Sequence, residues 1–85
     1  MVDFTQVEDL IKLQLSDAVV KVTDLTGSMD HLGIMIVSDA FVGKILIDQH
    51  QIVMDILSEK LKSNEIHAVQ LKTLTFEKAK NKGLV

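Results

Sequence analysis

The chain has no cysteine, no arginine, few aromatic residues and no apolar run of bilayer length, and each lack removes a class of function. Without cysteine there can be no disulfide, no thiolate nucleophile, and no zinc or iron–sulfur site built on the chain's own sulfurs. Any metal chemistry must use imidazole or carboxylate. No stretch approaches the ~20 apolar residues of a membrane span, so no membrane partner is expected. The nine basic residues are all lysine and face twelve acids, for a net charge of -3. That is a poor electrostatic footprint for a phosphate backbone. The opening MVDFTQVEDL carries acids and lacks both the apolar core of a signal peptide and the Arg-rich pattern of a transit sequence. A cytoplasmic location is therefore expected, bacterial cytoplasm first, or an organelle if a targeting segment lies outside this sequence.

What is present suits one compact domain over residues 1–85, with 47% apolar composition and room for only a modest core. Phe4, Val7, Leu10, Ile11 and Leu15 recur at helical spacing, and either Asp3 with Gln6 or Thr5 with Glu8 offers an N-terminal cap. A first helix of about three turns should end near Ser16-Asp17. Val19, Val20, Val22 and Thr23 read as a strand, followed by a turn through Thr26-Gly27-Ser28-Met29-Asp30. Leu32 to Ser38 reads as a second strand, apolar on both faces and hence central and covered. An irregular passage through Gly43 follows. Ile52, Val53, Ile56, Leu57 and Leu61 then mark a long amphipathic helix, stopped by Lys62-Ser63-Asn64-Glu65. Ile66 to Leu74 reads as a third strand, and Thr75 can cap a last short helix to about Lys82.

The order is αββαβα. A helix between strands two and three is a crossover and joins parallel strands, whereas the loop between strands one and two makes those antiparallel. The expected fold is an α+β sandwich, a three-stranded mixed sheet with helices mainly on one face, in the manner of a KH-like domain of the second topological type.

The stretch HLGIMIVSDAFVGKILIDQHQIV from His31 to Val53, with LKSNEIHAVQLKTLT from Leu61 to Thr75, resembles the BolA family signature. There a strand ending in V-S-D-x-F leads to G-K, then to an R-H-R-like helix start, and finally to an I/V-H-A strand running into T-P-x-x-W. Ser38-Asp39-Ala40-Phe41, Gly43-Lys44, His50 and Ile66-His67-Ala68 fit position by position. Gln49 and Gln51 stand where arginines are usual, Phe76 where Pro is common and Ala79 where Trp is common. The first pair weakens any phosphate-binding role, and the second alters how the terminal helix packs.

The resemblance implies a non-enzymatic adaptor that forms a heterodimer with a monothiol glutaredoxin and shares a [2Fe-2S] cluster with it, in iron–sulfur cluster trafficking or iron regulation. Glutaredoxin and glutathione would supply thiolates. This chain would supply His67, from the I/V-H-A strand, and His31, directly before Leu32; family members that use cysteine carry it near Ser28. Topology gives a separate reason to pair the two histidines. Each stands at the start of one of two strands that should be parallel, and adjacent strands lie about 4.8 Å apart. His50, opening the return helix, starts from the other end of the sheet and should not reach the site. Asp30 beside His31 is placed either to orient an imidazole or for ordinary loop solvation, and the second reading is preferred.

Replacing thiolate by neutral nitrogen on one iron raises the cluster potential and makes binding pH-sensitive, because imidazole must be neutral to bind metal. Two imidazoles alone form a weak, open site, so the isolated chain is expected to be monomeric and free of metal.

The rival class is a KH-like nucleic-acid-binding transcriptional regulator. A KH module clamps backbone with a GXXG loop, and neither Gly27-Ser28-Met29-Asp30 nor Gly43-Lys44-Ile45-Leu46 has it. Catalysis is not suggested: Ser16-Asp17 and Ser38-Asp39 are adjacent in sequence and point apart, and no Ser–His–Asp order or paired-carboxylate cleft is visible.

Overall fold

A computed structural model of the protein describes residues 3–27 and 31–85. Helix α1 spans Phe4–Gln14, and of the two possible caps Asp3 is used, its carboxylate accepting the Thr5 N–H at 2.8 Å. Val7 and Ile11 form its buried stripe. Strand β1 is Val19–Asp24 and β2 is His31–Val37, one residue earlier than the apolar pattern indicated. Between them Asp24 Oδ1 accepts from the N–H of Thr26 and of Gly27, and Gly27 has a φ of +84°, which favours glycine. The rest of the expected turn, Ser28, Met29 and Asp30, lies outside the described residues.

After β2 a single turn of 3₁₀ helix, Asp39–Phe41, buries Phe41 completely. Helix α2 then runs Leu46–Ile56, and α3, Ser58–Lys62, continues from it. The long return helix thus starts earlier than its apolar repeat and is broken at Leu57, which stays fully buried at the joint. The repeat began at Ile52 because the first turn of α2 presents Leu46 and Ile47 to solvent and buries a glutamine, Gln49. His50 consequently lies inside α2 and not at its opening. Strand β3 is Ala68–Leu74, two residues shorter than expected, and α4 is Phe76–Asn81 with Thr75 as its cap. Gly83 closes α4 at a φ of +71° while the N–H groups of Leu84 and Gly83 reach the carbonyls of Ala79 and Lys80, a Schellman termination.

The sheet order is β1-β2-β3, with β1 antiparallel and β3 parallel to the central β2. One face carries Leu32, Ile34 and Ile36 into the main core with Val7, Ile11, Val53, Leu57 and Ile66. On the opposite face a smaller core forms at the far end of the strands, where Val37 and Leu74 meet Ala79 of α4, flanked by Met35 and Phe76. Ala79, at the position where the family favours Trp, is fully buried. β2 is covered on both faces only at its end, Ile36-Val37; from His31 to Met35 its burial alternates, so the expectation of a strand covered on both faces holds only where α4 packs.

Candidate functional site

The two histidines that the sequence pairs are brought together at the starting edge of β2 and β3. His31 opens β2 and stands opposite Ala68 in the parallel register. Its carbonyl accepts the N–H of Leu25, which extends the β1 ladder and fixes the backbone there. His67 precedes β3 by one residue. The chain reaches it through a tight passage: Asn64 takes a left-handed φ of 62°, Lys60 pairs with Glu65 at 2.9 Å, and Ile66 is inserted into the core. The Lys60 ammonium holds the Glu65 carboxyl below its usual range by hydrogen bond and charge. With Ile66 anchored, the next side chain is displayed: His67 is exposed and His31 half-buried.

The ring centroids lie 6.0 Å apart with the planes at 76°. An imidazole bound to a metal places its centroid about 3 Å away, so two on one tetrahedral ion stand about 5 Å apart. The observed pair is about 1 Å wider than that, within reach of a small side-chain rotation. Among the described residues no group of three or more His, Asp or Glu converges as a metal site. His31 and His67 are the two imidazoles that the fold brings together at this edge. Asp30, considered beside His31, and Ser28, at the position of the family's alternative cysteine, lie outside the described residues.

His50 does not join the pair. Its neighbour Gln49 ties α2 to the last part of β3, Gln49 Oε1 accepting the Thr73 hydroxyl at 2.7 Å, while Gln49 Nε2 donates to the Lys44 carbonyl at 2.8 Å. Seven-residue strands rising about 3.3 Å per residue put this end about 20 Å from the histidine edge. His50 Nε2 is buried there and has no hydrogen-bond partner among the described residues.

A polar clasp also links the first loop to the end of β2, and the sequence reading missed it by treating each Ser-Asp pair alone. Ser38 Oγ donates to Asp17 at 2.6 Å and accepts from the Ala40 N–H, and Asp17 also takes the Asp39 N–H at 2.9 Å. These bonds hold the Asp17 carboxyl below its ordinary range, Ser38 contributing most. Ser38 is fully buried with its hydroxyl engaged as donor and acceptor. The clasp closes the loop ahead of β1 onto the end of β2.

Fold and site define a small α+β domain whose mixed sheet presents an imidazole pair at one edge. Residues 10–78 match the family model for BolA-like protein, and the chain belongs to that family. It is 36% identical over 70 residues to an uncharacterized protein of Rickettsia prowazekii, covering 82% of this chain and 90% of that one. A bol-like protein from Babesia bovis superposes with a TM-score of 0.83 at 32% identity, covering 98% of this chain and 95% of the other. The BolA domain of SufE1 from Arabidopsis thaliana gives 0.79 at 28% identity, with coverage of 87% and 92%.

Proposed function

We propose that the protein is an adaptor that binds a monothiol glutaredoxin and contributes His67 and His31 as nitrogen ligands to a [2Fe-2S] cluster held between them. The observation that carries this reading is the convergence of two imidazoles, one of them exposed, in a chain that has no cysteine thiolate of its own. Such a half-site needs thiolates from a partner. Membership of the BolA-like family supports it, as does the Arabidopsis relative, where a domain of this kind is part of a longer protein: a small module suits tethering to other proteins. The cluster is cargo shared at an interface, and its mixed ligation makes it labile and transferable.

The test is anaerobic co-purification of the chain with a monothiol glutaredoxin and glutathione, with iron and sulfide quantified. A cluster-bearing heterodimer with a visible spectrum distinct from that of the glutaredoxin alone is expected. A glutaredoxin spectrum that this chain leaves unaltered, without co-elution, would remove the proposal.

A further inference from the structure

At the end of the sheet opposite the histidines, the surface combines large exposed aliphatic side chains with lysines. Val42, Ile45, Leu46 and Ile47 are 62%, 68%, 60% and 75% exposed. Ile45 and Leu46 border a groove whose other walls include Leu74 of β3 and the side chains of Lys44, Lys78 and Lys82. No carboxylate lines that groove; Asp39 and Glu77 line the adjoining depression instead, and Asp48 sits in the first turn of α2. Among the described residues none of the three lysines makes an ion pair. In a chain of net charge -3, this is a local concentration of positive charge beside an apolar tip.

We propose that this end of the molecule docks peripherally on an anionic lipid bilayer, the aliphatic tip entering the interface and the three lysines meeting the headgroups. Leu46 and Ile47 open α2 about 100° apart around its axis, and Ile45 is the extended N-cap residue ahead of them, so the three exposed side chains do not share one helix face. A folded protein partner covers one side of such a tip, whereas a fluid acyl layer surrounds it. Nucleic acid would meet the lysines and leave the aliphatics without a counterpart. An anionic lipid layer complements both. No described helix is long and apolar enough to cross a membrane, so the contact is peripheral, and it revises the expectation of no membrane partner, which considered spanning only. The chain has no Trp or Tyr, the residues that usually anchor at bilayer interfaces; insertion and charge attraction must therefore act together. The histidine edge, about 20 Å away along the strands, stays open to a second protein while this end rests on the membrane.

The full-length chain would be floated with vesicles of phosphatidylcholine alone or of equal parts phosphatidylcholine and phosphatidylglycerol. It should float with the anionic vesicles at low salt, stay behind at high salt, and ignore the neutral ones. Lys44→Gln/Lys78→Gln/Lys82→Gln should lower partitioning about a hundredfold. Ile45→Gln/Leu46→Gln/Ile47→Gln should lower it at least as far, while Leu13→Gln, removing an equally exposed leucine on α1, should leave it unchanged; circular dichroism checks that each variant is folded. Failure to float with anionic vesicles would overturn the proposal, as would flotation indifferent to the aliphatic triple substitution. Lysine-dependent binding to duplex DNA without vesicle binding would reassign the groove to nucleic acid. The readout involves neither glutaredoxin nor iron, so it stands or falls apart from the cluster reading.

Discussion

His31 faces Ala68 across the parallel ladder, so His67 lies one step beyond the last pair and its ring swings back to within 6.0 Å of that of His31. One imidazole is held on a strand and the other on a short connection. That asymmetry sets unequal expectations for their loss. His67→Ala should abolish the mixed-ligand spectrum of the glutaredoxin complex, because the exposed imidazole is the one presented to a partner. His31→Ala should leave association intact but shorten the cluster's lifetime, since water or a loop group can enter the vacated position. His50→Ala should change neither, as its place in α2 is at the other end of the strands. Visible circular dichroism of the anaerobic complex distinguishes the three; a response to His50→Ala without one to His67→Ala would contradict the assignment.

The Ser38–Asp17 clasp gives the fold an acid-sensitive joint. Asp17 has a lowered folded pKa, with the Ser38 hydroxyl as the largest cause, so the folded state binds this proton less readily than the unfolded one. The contribution is fully present above the ordinary aspartate value of about 3.9 and declines as pH falls below it. Ser38→Ala removes the donor and should cost about 1–2 kcal/mol at neutral pH, toward the weaker end for a charged hydrogen bond because Asp17 is exposed. Denaturant unfolding at pH 7 and pH 3 should show the difference between wild type and Ser38→Ala shrinking in acid. A difference that persists unchanged at pH 3 would indicate that lost packing, not the carboxylate, is responsible.

Much of this architecture was legible because periodicity and topology reinforce each other. The β-branched run of β1, the two-faced apolar β2 and the helix before β3 required a mixed sheet, and that sheet put His31 and His67 at one edge. Boundaries failed where tertiary contacts override local pattern. Ile45, Leu46 and Ile47 look like core in sequence but are exposed, while Gln49 looks like surface and is buried by its bonds to Thr73 and the Lys44 carbonyl. The Asp17–Ser38 bond spans 21 residues, and no local spacing rule reports such a pair. The second core under α4 was hidden because its central residue is a small alanine where the family carries a large aromatic.

The Gln49–Thr73 hydrogen bond should be measurable as a coupling. Both residues are more than nine-tenths buried, so Thr73→Val leaves the Gln49 carbonyl without its donor and should cost roughly 1–3 kcal/mol. Gln49→Leu strands the Thr73 hydroxyl in turn. The double variant removes both polar groups and should cost less than the sum of the singles by about 1 kcal/mol. Urea denaturation of all four proteins closes the cycle; simple additivity would mean that the bond does not hold α2 to β3.

Ala79 tests how tightly α4 is seated. It is fully buried, lying against Val37 and Leu74 with Met35 and Phe76 at the margin. The residue common at this place in the family is Trp, but here the space is occupied by the side chains that surround a methyl group. Ala79→Trp should therefore behave as overpacking and cost about 1–3 kcal/mol, although it restores the family-typical residue. The Schellman closure at Gly83 constrains the end of the same helix, so α4 is not readily displaced to make room. A lowered urea midpoint with an unchanged slope is the expected result. Unaltered stability would mean that α4 moves outward at little cost and is retained by its termini more than by the Val37–Leu74–Ala79 contact.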